Sequence, residues 1–543
     1  MNDRKYVIGL DYGTESCRAL LVDVITGAEK AEAVYKYENG VIDTVLPGTG
    51  IHLERDWALQ DPADYLKGLK SLIPEILNKG AVPGADVIGI GIDFTACTVL
   101  PTFKDGTPLC FVEEFRHHPH AWVKLWKHHA AQPEADRINQ LAAERREPFL
   151  SYYGGKVSSE WSLPKLLQIL NEAPEIYQRA ARFIEAGDWI VWRLTGNETR
   201  NTCAAGYKGF WNHEHGYPSR EFLAALHPEF GAAVENKLCG TLVAPGRKAG
   251  GLTPELAREL GLSPGVAVSA ATIDAHSGVP GCGVSDSNQL VMIMGTSSCQ
   301  MVMTDRPYYF EGFAGLAKDG ILPGYYGYEY GQSAVGDIFA WFVANSVPAA
   351  YSEEAAARKI GIHQLLEEKA ARLAPGESGL VALDWHNGNR SILMNANLKG
   401  VVAGYSLKTK PEEVYRCLIE ATAFGTRKII ETHEAGAEPI RAVYACGGLT
   451  KNKLLMQIYA DILGRAITVA ASLQPIALGS AIFGALAAGR AAGGYDDPEE
   501  AVRRMAPPAA GVYRPDAVNQ LGYEALYEQY LKLHDYFGSY GMA

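Results

Sequence analysis

Cysteine is scarce in this sequence, and its spacing carries no pairing signal. Nine cysteines are scattered over 543 residues, and no two of them stand in Cys-x-x-Cys spacing. An odd number at irregular spacing argues against a disulfide framework and against a zinc site built from such pairs. We therefore interpret the cysteines as reduced core thiols of a cytoplasmic protein.

Basic runs and long apolar runs are also missing. The formal net charge is −12, from 50 basic and 62 acidic residues, which argues against nucleic acid or an anionic membrane as the main partner. The longest apolar stretch, residues 476–489, contains several glycines and falls short of the about 20 residues that a membrane span needs. A strand is predicted from about residue 6, which leaves no room for a signal peptide.

Two common nucleotide-binding motifs are absent as well. The sequence contains no G-x-x-x-x-G-K-[ST] P-loop, and no G-x-G-x-x-G follows a predicted strand. These absences disfavour Walker-type ATPases and Rossmann dehydrogenases.

Glycine, by contrast, is abundant in a chain of otherwise globular composition. There are 57 glycines, while hydrophobic residues make up 47% and charged residues 21%. Average glycine usage is only about 7%, so the positions of the glycines need an explanation. The length predicts more than one domain.

Short β-branched runs alternate with segments of helical periodicity, which is typical of α/β proteins. Buried strands are predicted at 6–10, 87–92, 266–273, 290–294 and 442–445. Helices are predicted at 62–79, 163–169, 411–434 and 452–463. Asp61 and Pro62 supply an N-cap and a first-turn proline for the first of these helices. The glycine-rich segment 476–489 is interpreted as a packing helix whose small residues let it lie close to a sheet.

Two segments, one in each half of the chain, share one pattern. Residues 7–22 read VIGLDYGTESCRALLV and residues 290–302 read LVMIMGTSSCQMV; both predict a strand, a tight Gly-Thr turn and a second strand. Such a turn exposes backbone N–H groups and a hydroxyl, and can hold a phosphate. The alternative is a pair of ordinary hairpins. The repetition suggests two related domains, which we place at 1–284 and 285–543.

Three aspartates end predicted strands: Asp11, Asp93 and Asp274. The carboxyl ends of strands border the ligand crevice of α/β sheets. Phosphoryl transfer needs one carboxylate near Mg²⁺ and another that accepts the proton of the attacking hydroxyl. The alternative is a helix N-cap, which suits Asp274.

A Gly-Gly pair in the segment CGGLTKN, residues 446–452, follows another predicted strand and opens a helix. Consecutive glycines at a helix N-terminus let a purine or a phosphate approach the backbone. A tight strand-to-helix turn explains the same residues equally well.

Five histidines cluster at 117, 118, 120, 128 and 129. No acidic or cysteine ligand joins them at a recognised metal spacing. Trp122 and Trp126 lie in the same stretch, so we expect solvated or packing roles for these histidines.

Together these segments resemble the FGGY family of carbohydrate kinases, which has the actin/hexokinase-like fold. The resemblance covers essentially the whole chain. Its most specific stretches are GLDYGTESCRALLVD (9–23), IGIDFTACTVLP (90–101), EWSLPKLLQI (160–169), TCAAGYKGFW (202–211), IDAHSGVPG (273–281), MGTSSC (294–299), YEYGQSAVGDIFAW (328–341) and CGGLTKNKLLMQIYADIL (446–463). It implies two ribonuclease H-like α/β domains that flank a central cleft, the first holding the sugar and the base, the second holding ATP.

The resemblance also implies roles for individual residues. Asp274 matches the family's general base, and Asp11 matches the carboxylate near Mg²⁺. The positions that match sugar contacts are Ala96, Lys208, Asp274 and Glu329. The positions that match ATP contacts are Gly13, Thr14, Gly295, Thr296, Gly336, Gly447, Gly448 and Asn452, with Asp337 beside them.

The activity implied by the resemblance is ATP-dependent phosphorylation of a ketopentose, L-ribulose, at its terminal primary hydroxyl, as in arabinose breakdown. Alternatives within the family are kinases of xylulose, ribitol, gluconate or glycerol. From other classes, the alternatives are a non-catalytic sugar- or ATP-binding module and a filament protein of the actin type. We expect a homodimer without a nucleic-acid or membrane partner.

Overall fold

The computed structural model describes residues 4–540. In the first half of the chain the strands are Tyr6–Tyr12 (β1), Ser16–Asp23 (β2), Glu29–Lys36 (β3), Leu59–Gln60 (β4), Val87–Phe94 (β5), Val99–Thr102 (β6), Val123–Lys124 (β7), Arg182–Glu185 (β8), Thr199–Asn201 (β9), Thr241–Val243 (β10), Lys248–Gly251 (β11), Ala267–Ser269 (β12) and Thr272–Ile273 (β13). The helices of this half are Pro62–Gly80 (α1), Glu113–Arg116 (α2), Gln132–Arg145 (α3), Ser162–Glu172 (α4), Pro174–Arg179 (α5), Ala186–Thr195 (α6), Thr202–Tyr207 (α7), Arg220–Leu226 (α8), Ala233–Lys237 (α9), Pro254–Leu260 (α10) and Asp274–Gly281 (α11).

The second half has the same alternation of strands and helices. Its strands are Gln289–Met294 (β14), Ser298–Thr304 (β15), Gly315–Lys318 (β16), Tyr326–Gln332 (β17), Val381–Leu383 (β18), Val401–Ala403 (β19), Ala442–Cys446 (β20), Ile467–Val469 (β21) and Gly511–Tyr513 (β22). Its helices are Gly336–Ser346 (α12), Ala349–Ala357 (α13), Ile362–Ala370 (α14), Pro411–Gly436 (α15), Lys453–Leu463 (α16), Pro475–Ala488 (α17), Pro498–Met505 (α18) and Ala517–Tyr540 (α19).

The two large sheets share one strand order. The first runs β3-β2-β1-β5-β12-β11, with β13 also paired to β5. The second runs β17-β15-β14-β20-β21-β22, with β16 added at the outer edge of β17. In each sheet an antiparallel meander leads into two parallel strands and ends on an antiparallel strand. This repeated topology is that of two ribonuclease H-like domains, and it confirms the predicted fold class. The two sheets take their strands from either side of residue 284; the boundary itself stays a prediction.

Most of the predicted strands and helices are present in the structure, and the prediction of one strand is wrong in part. The two Gly-Thr segments are the β1/β2 and β14/β15 hairpins, and Asp61 Oδ1 accepts the N–H of Ala63 as the cap of α1. The predicted strand 266–273 is split into β12 and β13. It breaks because the N–H of Ala270 donates to the carbonyl of Arg247 and not to β5.

Helix α17 comes from the second half of the sequence but packs on the first sheet. Its main chain lies directly on glycines of β1 and β5: a Cβ at Gly91 would lie 1.7 Å from the Ser480 carbonyl oxygen, and one at Gly9 would lie 1.8 Å from that of Ala477. No residue with a Cβ fits such a backbone-to-backbone contact. The interpretation of 476–489 as a packing helix is therefore confirmed.

The same small residues let α17 cross α11 closely. A Cβ at Gly281 would lie 1.7 Å from the Pro475 carbonyl oxygen, and one at Gly479 would lie 1.8 Å from that of Ser277. Because α11 begins at Asp274, this crossing helps to set the position of that carboxylate.

The cysteines are mostly buried and unpaired. All nine cysteines are free thiols, seven of them buried. Within residues 4–540 no helix combines the length and the apolar character needed to cross a membrane.

We predict that Gly91→Ala destabilises the protein by at least about 2 kcal/mol, because the added methyl group meets main-chain atoms of α17 that cannot move away alone. Chemical denaturation of both proteins measures the free energy of unfolding. Gly511→Ala is the matched control, since a Cβ there meets nothing within 4 Å. Equal stability of Gly91→Ala and the wild type would contradict the close packing of α17.

Candidate functional site

The three strand-end aspartates lie together at one edge of the first sheet. Asp11 and Asp93 are directly opposite each other in the parallel pair β1/β5. Thr272 of β13 pairs with Asp93, and the chain then enters α11 at Asp274. The structure thus brings together the three carboxylates that the sequence singled out.

Asp93 links this edge to the second half of the chain. It is fully buried, and its Oδ2 accepts the hydroxyl of Ser480 on α17 at 2.6 Å. The Ser480 Oγ lies 3.1 Å from Ser277 Oγ on α11. Burial, and next the charge of Asp11, raise the pKa of Asp93 well above its usual range.

Asp11 has a different environment from Asp93. Its Oδ2 accepts a hydrogen bond from Nη1 of Arg18 at 3.0 Å, and the two residues face each other across the β1/β2 hairpin. Asp11 is therefore paired with a guanidinium, whereas Asp93 is bonded to a serine hydroxyl.

Asp274 begins α11, and its Oδ1 accepts the N–H of Ala275 at 2.7 Å. Burial, together with the charges of Asp11 and Glu329, raises the pKa of Asp274 to about 7. A carboxylate with a pKa near the working pH is well matched to general-base chemistry.

The first Gly-Thr turn, Gly13–Thr14, is held both within the β1/β2 hairpin and by side chains from outside it. The N–H of Gly13 donates to the Ser16 carbonyl at 3.0 Å. Trp126 Nε1 donates to Thr14 Oγ1 at 3.1 Å, and Gln60 Nε2 donates to the Thr14 carbonyl at 2.7 Å. The turn is thus fixed by three side-chain and main-chain bonds.

The second Gly-Thr turn, Gly295–Thr296, lies against the first turn of α12. The N–H of Gly336 donates to the Gly295 carbonyl at 3.1 Å, and the N–H of Asp337 donates to that of Thr296 at 3.1 Å. A helix N-terminus carries partial positive charge that favours anions. The structure therefore places Gly336 beside this turn; its contact with ATP stays a prediction.

The Gly-Gly loop follows β20 and lies beside the end of β14. Gly447 has φ 100°, and a Cβ there would lie 2.3 Å from the Met294 carbonyl oxygen, whereas a Cβ at Gly448 meets nothing within 4 Å. Asn452 caps α16, because its Oδ1 accepts the N–H of Leu455 at 2.8 Å. This capping leaves the Asn452 amide group as the part of the side chain that can donate to a ligand.

Lys208 and Glu329, predicted sugar contacts from opposite halves of the chain, meet in a buried ion pair. Lys208 Nζ lies 2.7 Å from Glu329 Oε1, and both side chains are 6% exposed. Burial alone would lower the pKa of Lys208, but Glu329 raises it above the usual value. The same contact lowers the pKa of Glu329 against the effect of burial, so both groups are charged.

Aromatic and imidazole groups surround this ion pair. His276 Nε2 lies 3.5 Å from Glu329 Oε2, and its ring centroid lies 4.2 Å from that of Tyr207. Burial lowers the pKa of His276 to about 4, so its ring is neutral at pH 7. Ala96, the fourth predicted sugar contact, follows β5 and is partly exposed.

Sequence reasoning missed a second ion pair between the halves. Arg390 Nη2 lies 3.5 Å from Glu160 Oε1, and the Arg390 stem packs on Gly331, where a Cβ would lie 2.7 Å from its Cδ. Glu160 begins EWSLPKLLQI, one of the segments that carry the family resemblance, so the sequence could have singled it out. Arg390 stands in an irregular loop and had no such signal.

The histidine-rich segment takes packing and hydrogen-bonding roles. His120 Nε2 lies 3.0 Å from Glu172 Oε2, and His128 Nε2 lies 2.9 Å from Gln168 Oε1. The ring centroid of Trp57 lies 4.7 Å from that of His120 and 4.9 Å from that of His128. Across the described part of the chain, no three histidine, cysteine or acidic side chains converge as a metal cage.

A duplicated ribonuclease H-like fold with a Gly-Thr turn in each half and carboxylates at the junction defines an actin/hexokinase-like protein. Residues 6–281 match the N-terminal domain of the FGGY family of carbohydrate kinases, and residues 290–488 match its C-terminal domain. The chain belongs to the FGGY family of carbohydrate kinases.

Relatives and solved structures agree with this assignment. A protein named ribulokinase from Geobacillus thermodenitrificans is 54% identical over 98% of this chain and 95% of its own length. One from Mycolicibacterium smegmatis is 48% identical over 98% and 94%. The fold also matches a xylulose kinase from Rhodospirillum rubrum, with TM-score 0.79, 22% identity and 99% of each chain covered, and a gluconate kinase from Lactobacillus acidophilus, with TM-score 0.80, 20% identity and 99% of each chain covered.

We predict that Asp274→Asn raises the melting temperature, by more at pH 8 than at pH 5.5. The pKa of Asp274 is about 7 in the folded chain against 3.8 for an ordinary aspartate. Between these values the unfolded chain loses a proton that the folded chain keeps, so the free energy of unfolding falls as pH rises. The amide removes this penalty. Calorimetry of both proteins at pH 5.5 and pH 8 measures the difference in melting temperature. The same difference at both pH values would contradict a raised pKa of Asp274.

Proposed function

We propose that this protein transfers the γ-phosphoryl group of ATP to the terminal primary hydroxyl of L-ribulose, giving L-ribulose 5-phosphate. The proposal is supported by relatives named ribulokinase that are 48–54% identical over nearly the whole chain. The structural observation that carries it is a desolvated carboxylate, Asp274, beside the buried pair Lys208–Glu329.

The sugar-binding role falls to charged groups that can each serve several hydroxyls. The ammonium of Lys208 is a donor and the carboxylate of Glu329 is an acceptor. Glu329 Oε2 is buried without a hydrogen-bond partner in the described chain, so it is free to accept a sugar hydroxyl. Ala96 is the fourth proposed sugar contact, and its methyl group takes little space.

Asp274 is the proposed general base. Its carboxylate accepts the proton of the sugar hydroxyl as the hydroxyl oxygen attacks the γ-phosphorus, the role that phosphoryl-transfer enzymes give to a positioned carboxylate. The raised pKa of Asp274 makes it a stronger base than an ordinary aspartate.

The proposed ATP site uses the backbone more than charged side chains. Donors of the Gly13–Thr14 and Gly295–Thr296 turns face the phosphates, and the first turn of α12 at Gly336 adds its partial positive charge. Gly447, Gly448 and the Asn452 amide contact the adenosine. These groups stabilise charge on the transferring phosphoryl group.

The residues present fit a Mg²⁺ ion that is held mainly by ATP. Asp11 is a nearly buried carboxylate, Asp93 Oδ1 has no hydrogen-bond partner in the described chain, and carboxylate oxygens suit Mg²⁺. A Mg²⁺ ion bound there would neutralise charge on the phosphates. Asp11 would hold the ion through a water molecule. Two further predictions remain: a homodimer, which the family resemblance implies, and a cytoplasmic location, which the unpaired cysteines indicate.

We predict that Asp274→Asn lowers kcat by about 10²- to 10⁴-fold, the usual worth of general-base help. Sugar affinity stays near that of the wild type, because the amide keeps the shape and the contacts of the carboxylate. Steady-state kinetics give kcat, and calorimetric titration gives the sugar Kd. Turnover close to wild type would remove Asp274 from this role.

The substrate is tested by ATP turnover coupled to sugar phosphate formation. L-Ribulose should give the highest kcat/KM in a panel with xylulose, ribitol, gluconate and glycerol. The Asp274→Asn protein serves as the background control. Efficient turnover of a different member of the panel, with none of L-ribulose, would reject the proposed substrate.

A further inference from the structure

One buried lysine near the site has no role in the proposed chemistry. Lys165 lies on α4 and is 0% exposed. Its Nζ donates to two main-chain carbonyls, that of Cys97 at 2.5 Å and that of Leu125 at 2.8 Å. Among residues 4–540, no carboxylate oxygen lies within 4.0 Å of the Lys165 ammonium.

The first carbonyl belongs to the turn that carries a sugar contact. Cys97 follows Ala96 directly and adopts φ 55°, the left-handed region that residues other than glycine rarely occupy. The same turn is held on its other side, because the N–H of Thr98 donates to Glu185 Oε2 at 2.9 Å. The main chain at Ala96 is therefore fixed by contacts from outside it.

The second carbonyl belongs to the segment that holds the first phosphate turn. Leu125 precedes Trp126, whose indole donates to Thr14 Oγ1 at 3.1 Å. One ammonium group thus joins the sugar-binding turn to the segment that fixes Thr14. The first of these segments carries a proposed sugar contact, and the second holds a proposed phosphate-binding turn. The phosphoryl group must pass from ATP at the one to the sugar at the other.

Stability alone does not favour a lysine at this place. A buried ammonium without a carboxylate partner loses its hydration, and two neutral carbonyls restore only part of it. Burial lowers the pKa of Lys165, and the charges of Glu185 and Glu160, which lie beyond ion-pair distance, offset only part of this effect. An apolar residue of similar length would fill the same space without the cost of burying an ammonium, but it would remove the donor to the Cys97 carbonyl.

We propose that Lys165 is a positioning residue that holds the Ala96–Cys97 turn and the Thr14 turn in the relative arrangement needed for phosphoryl transfer. The proposal rests on the proposed kinase function and deepens it. Geometry of this kind matters, because a misplacement of about 1 Å at reacting groups can lower the rate about 10²-fold.

The test replaces Lys165 with methionine, which keeps the length and the apolar stem but removes both bonds. We expect a melting temperature close to that of the wild type, because the ammonium no longer has to be buried but the Cys97 carbonyl loses its donor. We expect kcat/KM for the sugar to fall about 10- to 10²-fold, and more ATP to be hydrolysed per sugar phosphate formed. Hydrogen–deuterium exchange in the segment 94–102 should become faster. Lys165→Gln keeps an N–H donor. Its kcat/KM, ATP-to-product ratio and exchange rate should therefore lie between those of the wild type and those of Lys165→Met.

Lys237→Met is the matched control. Lys237 makes the same kind of contact away from the cleft residues, since its Nζ donates to the carbonyls of Tyr177 at 2.9 Å and Ala180 at 2.5 Å. Its loss should leave sugar kinetics, the ATP-to-product ratio and exchange in 94–102 unchanged.

Two outcomes would overturn the proposal. Unchanged kcat/KM and unchanged ATP-to-product ratio in Lys165→Met would show that the two turns need no link. A Lys165→Met chain that does not fold, or that melts well below the wild type, would give the lysine a structural role. Either outcome leaves the wild-type substrate panel as a separate test of the proposed function, since that panel depends on no variant of Lys165.

Discussion

The main-chain contact between α17 and the first sheet is the constraint on which the site depends. The Ser480 carbonyl occupies the space that a Cβ at Gly91 would need, so the helix lies closer to the strand than any side chain allows. At this distance the Ser480 hydroxyl reaches Asp93. Gly479, which has no Cβ, lets α11 pack directly against the main chain of α17. One set of glycines therefore anchors the second half of the chain on the first sheet and sets the helix that starts with Asp274.

The same close packing determines the electrostatics of the site. Removal of water raises the pKa of Asp93 and of Asp274, and the charges of neighbouring carboxylates add to the effect. Lys208 and Glu329, which come from different halves of the chain, stay charged because they are paired with each other. Local groups of this kind, together with the backbone of two turns, explain how a chain of net charge −12 can bind a polyanion such as ATP.

Sequence patterns were informative where function rests on local backbone. The Gly-Thr turns, the strand-end aspartates and the cap at Asp61 are contiguous signals, and the structure has each in the predicted element. Long-range contacts carry no such signal. The pattern of 476–489 indicates a buried helix but not which sheet buries it, and nothing near Arg390 in the sequence points to Glu160. The split of the strand 266–273 likewise depends on Arg247, which is distant in sequence and adjacent in space.

The pH dependence of kcat/KM for L-ribulose, with ATP saturating at every pH, most directly tests whether this buried carboxylate is the base. A base with the pKa of Asp274 predicts that kcat/KM falls tenfold per pH unit below about pH 7 and levels off above it. A profile that stays flat from pH 5.5 to pH 8 would contradict it, because an ordinary aspartate is already ionised throughout that range.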